Sequence, residues 1–372
     1  ASLALNFRDL GAGQVDIMES RGQVTPTFTR ATAAAAKLST GLWKLDVASG
    51  AARYSYNGLN TAVSTTGGYF AEGAATQLAL DPRDMTTANW TLGATMTRAR
   101  TSVGIDGASN TANRLTGGAV AGTNTVLQTL VAASTSRTYS AWVRRVTGTG
   151  QVLLLQGTAS LDITALINSS TYTLVQLNDN ELNVAFGLQI VTNGDAIDVD
   201  QNQFESGAFA TSPIPAAGTR NADVLTYPVA ALPPATLFAQ FQIYGTFGAA
   251  NNIAVQVDDG TANERYGIYR PSGVNDFRGF VVDGGVLQAD ASVAGAITLN
   301  TTTKGAMALN TNDVIACRDG TLSTQDTSAT MPTITTVRVG TSTTGEGLFG
   351  TISKVFYYQQ RLSNGQLQAL TF

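Results

Sequence analysis

The chain has 372 residues, a formal net charge of −4 and a pI near 4.9, with no histidine and one cysteine, Cys317. Without histidine, a Ser-His-Asp triad, a Cys-His dyad and any His-ligated zinc or haem site are excluded. A single cysteine permits neither an internal disulfide nor a thiolate metal cluster, so Cys317 is expected to be a buried free thiol. Charged residues are 13% of the chain and four of the 22 basic residues are lysines, which does not suit the dense cationic face of a nucleic-acid binder.

As a soft prior the length allows two to three domains of roughly 150 residues each, with a core large enough to fold without disulfides or metals. The start, ASLALNFRDL, has no basic stretch followed by a long apolar core, so no secretory signal is expected, and its Ala fits removal of an initiator Met as well as a cut from a longer chain. No run approaches the ~20 apolar residues that span a bilayer, so no membrane insertion is expected. Residues 1–80 read as an irregular, strand-poor N-terminal arm with a Gly-Gly pair at 67–68. Within it ATAAAAKLST, residues 31–40, has helical propensity but lacks an apolar stripe, and a helix there stays open.

Residues 81–219 read as a first β-domain. In TYSAWVRRV, residues 138–146, Tyr139, Ala141 and Val143 share one face while Ser140, Trp142 and Arg144 share the other. Residues 213–236 hold five of the nine prolines, and 220–236 reads as a stiff, extended connector. A second β-domain, 237–372, opens on LFAQFQIYG, with Leu237, Ala239, Phe241 and Ile243 opposite Phe238, Gln240, Gln242 and Tyr244. IAVQVDDG alternates Ile253, Val255 and Val257 with Ala254, Gln256 and Asp258. Asp259-Gly260, Asp283-Gly284 and Asp319-Gly320 supply turns between extended runs. Near the end, Ser363 and Gln366 form a capping-box pattern ahead of Leu367 and Leu370, predicting one or two helical turns. The fold class is therefore all-β: two tandem antiparallel β-sandwiches of jelly-roll type preceded by an irregular arm.

Three N-terminal segments, FTRATA (28–33), ARYSY (52–56) and AEGAATQLAL (71–80), resemble in combination and order the N-terminal region of tailed-phage and prophage virion structural proteins. Ala75 and Gln77 stand where that family has Arg and Asn. The stretch from Asn89 to Thr116, then TYSAWVRRVTGTG, then QNQFESGAFATSPIP (201–215) is similar to carbohydrate-binding-module jelly rolls embedded in virion proteins. VRVGTSTTGEGLFGTISKVFYYQQRLSNGQLQAL (337–370) resembles the closing strands of a concanavalin/laminin-G-type sandwich. The resemblance implies a non-enzymatic virion structural protein, an exterior capsid decoration or tail fibre, docked on other virion proteins through its arm. It implies a location on the virion exterior and contact with host surface polysaccharide. Such appendages often trimerise, and closed cyclic symmetry would bury exposed sheet faces.

Trp142 and Tyr244, on strand faces opposite the expected cores, are the candidate glycan contacts, since a flat ring can stack on the apolar face of a sugar. The alternative is that a second layer covers those faces. Trp90 reads as a core plug. Asp195, Asp198, Asp200, Asp258 and Asp259 are acidic enough to suggest calcium, yet no ligand-spacing motif supports a metal site, and turn-forming explains such residues. No cofactor is expected. Rival readings are a tailspike-type polysaccharide depolymerase, which needs two facing carboxylates that nothing in the sequence selects, and a host-glycan adhesin. Glu72 and Glu205 fall within the family-like motifs and read as structural.

Overall fold

The computed structural model describes residues 3–7, 25–56, 59, 67–120, 122, 124–229, 233–245 and 250–372. They form antiparallel sheets and one helix, Asn364–Thr371, so the all-β reading and the two sandwiches hold. No helix among them is long and apolar enough to cross a membrane.

The jelly roll packs two five-stranded sheets face to face. One runs Thr173–Glu181, Thr135–Thr147, Ala196–Ser206, Ala112–Thr116, Thr97–Ser102. The other runs Ala159–Asp162, Val152–Gln156, Ala185–Ile190, Thr125–Thr129, Thr91–Leu92. Tyr139, Ala141 and Val143 enter the core between them, as the alternation predicts. Phe186 stacks on Phe204 at 4.2 Å and meets the edge of Trp90 at 5.8 Å, so Trp90 is a core residue. Phe186→Ala would open a cavity at the centre of this cluster. A loss of about 3–5 kcal/mol in denaturant unfolding is expected, and a loss below about 1 kcal/mol would mean the cluster is not the core.

The second sandwich pairs an eight-stranded sheet with a seven-stranded one. Leu237, Ala239, Phe241 and Ile243 line its core, while Phe238 faces outward and is covered by the C-terminal helix through Leu367. The expected capping box is present at Ser363 and Gln366. Cys317 lies under the helix, its Sγ 3.2 Å from Thr371 Oγ1, and burial raises its thiol pKa. A register shift between Ile253 and Val255 interrupts the expected alternation, so Ala254 joins Val255 and Val257 in the core. Two-residue turns at Gly284-Gly285 and Asp319-Gly320 have positive φ at both positions, the geometry that matches strand twist.

The path of the chain differs from the expected boundaries. The supposed arm is woven into the second sandwich: Leu3–Asn6 pairs with Gly350–Tyr358, Thr27–Thr29 with Val224–Pro228, and Gly67–Ala71 joins Tyr54–Tyr56 to Gly350–Tyr358. Strands of three to five residues carry too little periodicity to be read locally. The alanine run is strand, Ala34–Lys37, hairpinned to Trp43–Val47. The proline-rich stretch is likewise not a linker. It contains Gly218–Arg220 and Val224–Pro228, and Pro228 ends its strand two residues beyond the pairing with Thr27–Thr29. The jelly roll is thus an insertion. The chain leaves the second sandwich through Ala75–Gln77 and re-enters through Gly218–Arg220, and these two strands pair with each other.

Candidate functional site

Entry and exit strands meet at a buried ionic joint. Arg30, Arg53 and Glu72, one from each N-terminal motif, converge with Arg220 and Asp223 from the proline-rich stretch. Asp223 accepts from Arg30 at 2.8 Å and from Arg53, while Glu72 accepts from Arg53 at 2.9 Å and Arg220 at 2.5 Å. Ser212, in the loop that leaves the jelly roll, donates to Glu72 at 2.5 Å and accepts from Arg53 and Arg220. Burial alone would raise the Asp223 carboxyl, but the charges of Arg53 and Arg30 more than offset it and hold its pKa below the ordinary value.

The QNQFES strand ties down the same loop. Gln201, Gln203 and Glu205 alternate along one strand face; Gln201 donates to the Ile214 carbonyl at 2.5 Å, and Gln203 accepts from Ile214 N at 2.7 Å. Glu205 accepts from Thr211 N at 2.9 Å and from Thr211 Oγ1 at 2.6 Å. Burial raises the Glu205 pKa, and its complete enclosure keeps any substrate away. Both glutamates are structural, as read from sequence.

With the joint fixed, the hairpin of Ala34–Lys37 and Trp43–Val47 lies on the outer face of the Trp142 sheet. Trp43 packs edge-on against Trp142, ring centroids 5.8 Å apart, with Ala35 and Ile105 completing the cluster. Trp142 is therefore 4% exposed, covered by a second layer and not an open platform. The cover is incomplete. A cleft of about 230 Å³ remains between the hairpin tip, Val103–Ile105 and Ser170–Tyr172. Trp43 and Trp142 form its floor, Leu42 and Val103 are exposed at its rim (40% and 45%), and Tyr172 is half-buried in its wall. The Arg144 guanidinium lies 4.9 Å over the Tyr172 ring, and the Tyr172 hydroxyl donates to the Val103 carbonyl at 2.7 Å. Gly104 has no room for a side chain: a Cβ there would lie 2.5 Å from Asp200 and 2.6 Å from Arg83.

Tyr244 does not join this cleft. It is half-buried beside Phe209, Thr173 and Leu174 in a separate depression of about 330 Å³, and its hydroxyl is bonded to Thr351 at 2.7 Å. Trp43 and Tyr172 were not singled out from sequence. Trp43 carried a usable signal, because Trp43, Leu45 and Val47 alternate with Lys44 and Asp46.

The acidic candidates are engaged within the protein. Asp198 is shared by Arg114 at 2.5 Å and Arg144 at 2.7 Å, Asp200 is held by Arg83 at 2.7 Å, and Asp258 by Arg338 at 2.8 Å. Asp195 accepts from Gly150 N at 2.7 Å, and Asp259 caps a turn through Thr261 N at 2.8 Å. Burial opposes ionisation of Asp198, but its arginines and Ser102 keep the carboxyl pKa below normal, the reverse of what a general acid requires.

No family model matches the chain, and no curated protein matches it in sequence. Solved structures do show similarity. The CBM40 carbohydrate-binding module of a Ruminococcus gnavus IT-sialidase, bound to alpha2,3 sialyllactose, is 17% identical with a TM-score of 0.32, covering 38% of this chain and 84% of the module. A tandem of CBM22 modules from Paenibacillus barcinonensis is 10% identical with a TM-score of 0.28, covering 78% of this chain and 99% of that one. Domains LG4-5 of the mouse laminin alpha1 chain are 9% identical with a TM-score of 0.28, covering 80% and 91%. These three solved structures are carbohydrate-binding modules and laminin domains.

Proposed function

We propose that this chain is a non-enzymatic bacteriophage virion structural protein, an exterior decoration or tail appendage, that contacts a host saccharide in the cleft under the Trp43 hairpin. The cleft carries the reading: it joins apolar ring surface to a rim of hydroxyl-bearing side chains, Thr40, Ser170 and Thr171, the mixture that sugar faces and edges require. At about 230 Å³ it is smaller than the roughly 300–1,000 Å³ of pockets for drug-sized ligands, a size suited to one sugar ring of a chain.

The virion assignment is supported by the order of the sequence motifs, whose charged members build the joint that orients the sandwiches. Because Leu3–Asn6 and Thr27–Thr29 belong to the second sandwich, docking on other virion proteins falls to a folded surface, with a closed homo-oligomer as the assembly.

A polysaccharide array tests the reading. The protein is expected to bind at least one host surface glycan without releasing reducing ends, and Tyr172→Ala is expected to weaken binding at least tenfold, about 1.4 kcal/mol. No binding to any saccharide at millimolar concentration would reject the contact role, and release of reducing ends would reject the non-enzymatic one. Labelled antibody on intact particles tests the location.

A further inference from the structure

We propose that the saccharide held in this cleft is acidic, a chain whose rings carry carboxylates. The inference rests on the glycan-contact reading above and adds the charge of the ligand.

Two cationic residues, Lys37 and Arg144, line the cleft, and among the described residues no Asp or Glu does. That is unusual for a chain with net charge −4 and only four lysines. Arg144 is anchored without being used up. One of its terminal nitrogens donates to Asp198 at 2.7 Å, and its guanidinium plane lies over Tyr172. Its other N–H groups make no hydrogen bond among the described residues, and 28% of the side chain is exposed. Asp198 is shared, because the same carboxylate also serves Arg114. Lys37 is the second cation of the lining, and burial brings its ammonium pKa down to about 8.

A planar guanidinium with free donors is matched to a carboxylate, and a site partly closed by Trp43 and Leu42 strengthens the attraction by excluding water. A neutral sugar would use the ring surface and leave the charge on Arg144 unanswered.

The test compares acidic polysaccharides (polygalacturonate, alginate and hyaluronan) with their carboxyl-reduced forms, by titration calorimetry against the full chain. At least one acidic form is expected to bind tenfold or more tightly than its reduced counterpart. Arg144→Gln is expected to erase that difference while leaving the thermal unfolding curve in place, because Asp198 keeps Arg114 and Ser102. Equal binding of acidic and reduced forms, or array hits confined to neutral glycans, would overturn the proposal and leave the glycan-contact reading intact. Retained discrimination in a folded Arg144→Gln protein would also overturn it. No saccharide binding of any kind would sink both.

Discussion

Asp223→Ala is expected to destabilise the protein by about 3–5 kcal/mol, the range for removing one partner from a buried charge pair. The substitution leaves the guanidiniums of Arg30, Arg53 and Arg220 facing Glu72, with Asp223 gone from between the first two. It also strips the acceptor from Glu72 N. The cost arises where the entry and exit strands of the jelly roll meet, so the melting temperature should fall by on the order of 10 °C. The same carboxyl gives the protein an acid limit. Its native pKa is lowered, so its contribution is complete above the unfolded value of about 3.9 and is lost as the pH falls through the native value. Glu205 works in the opposite sense, since its native pKa is raised and ionising it becomes a cost as the pH climbs past the unfolded value. Urea titrations between pH 3 and 7 on both proteins check this. The stability gap between wild type and Asp223→Ala should narrow toward pH 3, and a gap independent of pH would remove Asp223 from the account.

Deleting residues 1–66 should unfold the second sandwich and spare the jelly roll. The deletion takes three strands out of the sheets, Leu3, Leu5, Phe7 and Tyr54 out of the core, and Arg30 and Arg53 out of the joint. The buried core of the jelly roll, by contrast, is drawn entirely from residues between Ala79 and Phe204. Residues 78–214 alone are therefore expected to give a dispersed amide spectrum and one cooperative melt. The truncated chain should retain those resonances and lose the ones from 224–372. A truncated chain with both sandwiches folded would restore the idea of a dispensable arm.

That contrast shows what could be read along the chain and what could not. Thr135–Thr147 and Ala235–Ile243 are long enough for period-two alternation to give both the strand and its buried face. The glycine turns and the Ser363–Gln366 cap are local chemistry, readable over four residues. Thr27–Thr29 is three residues long and takes its register from Val224–Thr226, nearly two hundred positions away, so its pairing has no local signature. The same holds at the candidate site. The outward face of Trp142 followed from alternation, but its covering by Trp43 depends on where the joint places the hairpin. Tyr244 followed the same alternation, yet its hydroxyl is bonded to Thr351 in another depression. Alternation tells which way a side chain faces, not what lies over it.

The glycan-contact claim is tested most directly by a crystal structure of the protein soaked with the tightest-binding saccharide from the array. A sugar ring is expected between the hairpin tip and Tyr172, with a carboxylate on the free edge of Arg144. Saccharide density beside Tyr244, or on the second sandwich with this cleft empty, would contradict it.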